Sequence, residues 1–222
     1  MINLKYKKTK LEGFADAMTH GIGLIFSIVG YLILILSAAK SANTWIFIAF
    51  SIYGISLIST YLSSTIYHLY LYYHPVPNKH FKRILLLFDH CSIFFLIAGS
   101  YTPILLIFMR NKLGWSLFCL IWFLTFSGMI YKLKFIGKFK RFSLFMYLSM
   151  GWLILLSIND LIRLVPIDLI WFLVTGGIFY TVGIIFYQKK SIYFNHAIWH
   201  MFVLIGSIIH FLGIIFFISK CF

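Results

Sequence analysis

The sequence predicts an all-α protein, a polytopic bundle of seven transmembrane helices, and three observations predict it. Of the 222 residues, 62% are hydrophobic, well above the 45–50% of a soluble domain. Only 11% are charged, too few to cover a globule of this size with polar surface. The apolar stretches recur along the whole chain, each close to the roughly 20 residues that cross a bilayer. A single integral membrane domain over 1–222 is therefore expected, with residues 1–18 as its N-terminal segment. The basic opening MINLKYKKTK leads into a polar stretch and then a full-length span, which is not the pattern of a cleavable signal.

The spans follow in order, each bounded by residues that stop a membrane helix. The first covers about 19–39 and ends at Lys40, and the second, about 45–70, runs into His74-Pro75-Val76-Pro77. The third, about 83–109, ends at Arg110-Asn111-Lys112 and contains Pro103, which should disturb its hydrogen-bond ladder. The fourth, about 113–131, stops at the basic run KLKFIGKFKR over 132–141, and the fifth, about 142–160, stops at Arg163 and Pro166. The sixth, about 167–187, ends at Gln188-Lys189-Lys190, and the seventh occupies about 196–219. No internal repeat is evident.

Basic residues give the bundle a direction, because Lys and Arg accumulate on the cytoplasmic side. The N-terminus and the loops after spans two, four and six hold fourteen of the nineteen, and the opposite side holds five. The N-terminus is thus expected in the cytoplasm and, with seven spans, the C-terminus outside. The net charge of +14 is accounted for by these loops meeting anionic lipid of the inner leaflet, and no nucleic-acid partner is expected. Cys91, Cys119 and Cys221 are an odd number without a C-x-x-C pair, so neither a disulfide framework nor a thiolate metal site is expected.

Polar residues inside spans are costly and mark functional sites. His196 and His200, in NHAIWH, are four residues apart and share one helix face. His68 lies near the end of span two, and the topology brings it to the same depth. Three imidazoles can hold one tetrahedral Zn²⁺ and leave its fourth position to water. Asp89, one to two turns into span three, is read as a carboxylate beside the metal, balancing charge or taking a proton from its water. Ser64 precedes His68 by one turn and either hydrogen-bonds that water or a substrate, or bonds back to its own helix. Asp16 and His20 repeat the four-residue spacing, either as a polar cluster below the metal or as an interfacial helix start. His90 could compete as a ligand. His210 is expected to pack or hydrogen-bond, and His74 and His80 to be solvated.

The stretches DAMTHGIG at 16–23, SSTIYH at 63–68, FDH at 88–90, AGSYTP at 98–103 and NHAIWHMFVLIG at 195–206, taken together, resemble the hemolysin III and progestin-and-adiponectin-receptor family of seven-helix membrane proteins. The short chain resembles its bacterial hemolysin III branch, in the bacterial plasma membrane. The resemblance implies a zinc ion on His68, His196 and His200, with Asp89 and Ser64 close by. Related receptors are linked to ceramide hydrolysis, which implies metal-dependent hydrolysis of an amide or ester in a membrane lipid and a role in membrane homeostasis. A sensor or transporter with a structural or regulatory zinc, and a pore-forming cytolysin, are the alternatives. The opening of span one departs from the family pattern, with Glu12, Asp16 and His20 where Glu and Asn often precede the histidine.

The division of basic residues makes the orientation testable. A topology reporter fused after Phe222 should read as extracytoplasmic, and one inserted within 132–141 as cytoplasmic. The reverse pattern would refute the assignment.

Overall fold

A computed structural model describes residues 9–218 of the chain, and every element in it is helical. Lys5, Lys7, Lys8, Lys220 and Cys221, used above for charge and cysteine counting, lie outside the described residues. Helices α1 (Lys10–Ser41), α2 (Thr44–Tyr73), α3 (Lys79–Pro103) and α4 (Lys112–Phe135) are followed by α5 (Lys140–Gly151), the short α6 (Ile158–Leu164), α7 (Ile167–Gln188) and α8 (Asn195–Ile218). With α5 and α6 counted as one crossing, seven segments are long and apolar enough to span a bilayer. α1 packs along α2, α2 along α3 and α7 along α8, while α1 also meets α8 and so draws the two ends of the chain together.

Helix α1 begins at Lys10, about nine residues before the span expected from hydropathy. The reason is local. Thr9 accepts a hydrogen bond from the Glu12 amide at 3.2 Å, and the Glu12 carboxylate takes the Thr9 amide at 2.8 Å, a reciprocal cap that starts the helix early. Residues 10–18 of the N-terminal segment are therefore part of the bundle, and they bury Glu12, Asp16 and Ala17.

Pro103 acts as its chemistry requires. It lacks an amide hydrogen, and directly after it the helix passes into a π-helical turn over Ile104–Phe108. The fifth crossing, read from sequence as one helix, is interrupted after Gly151 by a 3₁₀ turn over Leu153–Ser157. The Tyr101 hydroxyl approaches the Met150 and Gly151 carbonyls at 2.8 and 2.9 Å and accepts the Ile154 amide at 2.9 Å. A side chain of α3 thus answers backbone groups that the interrupted helix leaves open, as membrane depth demands.

Helix α4 reaches Phe135, so Lys132 belongs to its last turn and is buried instead of standing in a solvated loop. Close approach elsewhere depends on glycine. A Cβ on Gly176 would collide with the His210 ring, and Gly206 lies against the Gly176 carbonyl, which lets α7 and α8 pack tightly through small residues.

Candidate functional site

Helix α1 supplies one polar stripe. Glu12, Asp16 and His20, spaced by four, are all buried, so their side chains lie one above another on the face turned inward. Glu12 joins the two ends of the chain. Its Oε1 accepts the Phe194 amide at 3.0 Å, while its Oε2 holds Thr9. Phe194 has a positive φ of 56°, and its carbonyl accepts the Ile198 amide at 2.8 Å, starting α8. The position of His196 and His200 is thereby tied to α1.

The four imidazoles of His20, His68, His196 and His200 converge at the end of the bundle where α1, α3 and α8 begin and α2 finishes. Ring centroids are 4.3 Å apart for His196–His200, 4.9 Å for His68–His200 and 5.1 Å for His68–His196. His20 lies 3.8 Å from His200 and is stacked with His68 at 5.9 Å. Two sets of ligand atoms fall within 4.8 Å of one another: His20, His68 and His200, and Asp16, His68 and His196. The three histidines singled out from sequence are thus brought together, but they are divided between the two sets, which share His68. His20 and Asp16 belong to the same cluster and are not a mere helix start.

Both histidines that face α1 are oriented by it. Asp16 Oδ2 is 3.8 Å from His68 Nδ1, and the Thr19 hydroxyl is 3.2 Å from His200 Nδ1. Thr19 Oγ1 also lies 3.0 Å from the Ala15 and Asp16 carbonyls, which commits its proton to the backbone. Its lone pairs are then left to receive an Nδ1–H from His200, a tautomer in which Nε2 is the acceptor nitrogen. Thr19 was missed from sequence, because nothing local tells that it faces a residue 181 positions away.

Asp89 stands beside the cluster, on α3. Its carboxylate is 3.3 Å from His90 Nδ1, meets the Ser64 hydroxyl, and lies in electrostatic range of His68. Asp89 is half-buried, whereas Glu12 and Asp16 are 2% and 0% exposed. The early start of α1 draws those two carboxylates inward. His90 also reaches the Leu86 carbonyl at 3.0 Å and joins neither ligand set. His74 and His80 are exposed, and His210 bonds the Leu173 carbonyl through Nε2 at 3.0 Å. Away from the cluster, Tyr61 packs on the His20 ring at 5.7 Å, and its hydroxyl donates to Ser207, which also meets Tyr180, both at 2.8 Å.

The residues that form this cluster lie within a stretch, 10–211, that matches the model of the family described as "Haemolysin-III related". The chain belongs to that family. Among its haemolysin-III relatives it is 42% identical to "Hemolysin-3" of Bacillus cereus over 207 residues, 93% of this chain and 92% of the relative. It is 41% identical to the "Hemolysin-3 homolog" of Bacillus subtilis over 209 residues, 94% and 95% of the two chains. It is also 31% identical over 219 residues to the human "Monocyte to macrophage differentiation factor", covering 96% of this chain and 87% of that protein. This haemolysin-III protein is a multi-pass membrane protein, as the seven apolar crossings require.

The Glu12 bridge gives a direct test. Replacing Glu12 by Ala strands the Thr9 and Phe194 amides and should lower stability by about 1–3 kcal/mol, read as a reduced thermal midpoint in detergent. Lys10→Ala, at an exposed neighbour, should leave the midpoint nearly unchanged.

Proposed function

We propose that this haemolysin-III protein is a zinc-dependent hydrolase of an amide or ester bond in a membrane lipid, with the ion held by His68, His196 and His200. The observation that carries this reading is the convergence of four buried or half-buried imidazoles, from α1, α2 and α8, with a carboxylate behind one of them. The fit can be judged from geometry. Imidazoles around a tetrahedral Zn²⁺, with bonds of 2.0–2.1 Å, have ring centres about 5 Å apart. The ring centres of the triad, at 4.3, 4.9 and 5.1 Å, suit that spacing, while the donor atoms that lie within 4.8 Å of one another also bring in His20 and Asp16, which makes these two further candidate ligands. Asp16 and Thr19 answer the Nδ1 atoms of His68 and His200 in the way outer partners of ligating histidines do.

When bound, Zn²⁺ supplies an acidified water and a charge that polarises a carbonyl. The rest of the chemistry belongs to the chain. Asp89 accepts the water's proton on a carboxylate oxygen and returns it to the leaving group. Ser64 and His90 hold that carboxylate in place. Tyr61 and Ser207 close the far side of the cluster, and the partial exposure of Asp89 and His90 supports entry of a lipid from their side. With the N-terminus in the cytoplasm, this side faces the inner leaflet.

A second reading is a membrane sensor or transporter whose zinc is structural. The hydroxyl contacts from Tyr61 through Ser207 to Tyr180, leading away from the histidines, favour it as a route for protons.

Purified protein should contain about one zinc per chain. Single alanine substitutions of His68, His196 and His200 should each abolish most of it, while His74→Ala should not. Thr19→Val should weaken zinc by the 10–100-fold typical of an outer partner. Asp89→Asn should keep the metal and lose about 10²–10⁴-fold in turnover of amide or ester lipids. Full zinc in His200→Ala would refute the ligand set. A zinc-loaded wild type without turnover on either lipid class would refute the hydrolase and leave the second reading.

A further inference from the structure

The most unusual cation in the bundle is Lys132. It lies in the last turn of α4 and is 3% exposed. Its ammonium donates to the Ser143 hydroxyl at 2.7 Å and sits 5.6 Å from the centre of the Tyr147 ring. No carboxylate among the described residues comes within 4 Å of it. An ammonium carries three donors, and here one finds an oxygen and a second an aromatic face. A charge withdrawn from water with no opposite charge in contact is costly; Asp89 acts on it only from a distance, and an anion in contact completes it.

The surroundings say which anion. Tyr147 leads from Lys132 to α3, its hydroxyl donating to the His90 carbonyl at 3.0 Å. His90 is half-buried, so the α3 side of this contact keeps some exposure. Four further cations, Lys134, Lys138, Lys140 and Arg141, are exposed around it and supply a field that gathers acidic lipid. Large apolar side chains stand beside the same corner, with Phe139, Phe142 and Phe145 each between 49% and 65% exposed. A soluble anion has no use for such a surface, whereas acyl chains do.

We propose that Lys132 is the charged centre of a binding site for an acidic phospholipid at the corner between α4 and α5, its headgroup phosphate paired with the ammonium and its chains along the phenylalanines. The site adjoins Asp89 and His90, which Tyr147 and Lys132 reach, but it needs no metal, and a lipid-dependent midpoint reads it without recourse to hydrolytic turnover.

The full-length protein is reconstituted in phosphatidylcholine, alone or mixed with phosphatidylglycerol, and its thermal midpoint is followed. Phosphatidylglycerol should raise the midpoint of the wild type, and of Lys134→Gln, but not of Lys132→Met. Equal rises in wild type and Lys132→Met would overturn the site, since exposed cations would then explain them, and so would no rise at all. A rise produced by inorganic phosphate in phosphatidylcholine alone would overturn the lipid assignment. A second measurement needs no variant. Diazirine-bearing phosphatidylglycerol should label peptides containing 139–147 more than the matching phosphatidylcholine, by on the order of fivefold, the ratio expected for one lysine near an anionic headgroup. Equal labelling by the two lipids would overturn the proposal even if Lys132→Met does not fold.

Discussion

Polar side chains at membrane depth have to be answered by other parts of the protein, since no water is at hand to do so. In this bundle that demand falls most heavily on the inward face of α1. Glu12, Asp16, Thr19 and His20 occupy its first three turns, and their partners come from α2, α8 and the residue before α8: His68, His200 and Phe194. The first and last crossings are joined there by this set of obligations. Everything chemically interesting lies on that seam, since α1 orients imidazoles that α2 and α8 present.

The same constraint explains the irregular segments. Where Pro103 upsets α3, the helix adopts a π-helical turn. Where the fifth crossing breaks after Gly151, Tyr101 serves the open backbone groups. Lys132 is the counter-example, a buried charge that the described residues answer only in part. It stands at the corner of the bundle where basic residues and bare phenylalanines meet, a setting for lipid more than for a further side chain.

The geometry also separates two kinds of carboxylate. Asp16 is enclosed and faces a histidine, a position for holding a ring in register. Asp89 is less enclosed and is steadied by Ser64 and His90, a position better suited to exchanging a proton. That contrast, more than the number of histidines, favours chemistry over a purely structural ion in the proposed function.

Helix number, membrane character and the candidate histidines were legible in the sequence, because they depend on hydropathy and on spacing along one helix: about 20 apolar residues make a crossing, and a four-residue interval puts His196 above His200. The family resemblance was legible for the same reason, residing in short contiguous motifs that the match over 10–211 bears out. The early start of α1 was written in Thr9 and Glu12, yet hydropathy alone passed over it. Only the tertiary structure decided that His20 and Asp16 join the cluster, that Thr19 faces His200, and that Lys132 is buried. Each of these rests on a contact between separate helices, and such contacts depend on which face each helix turns inward, a rotation that one polar residue on a uniformly apolar helix does not fix.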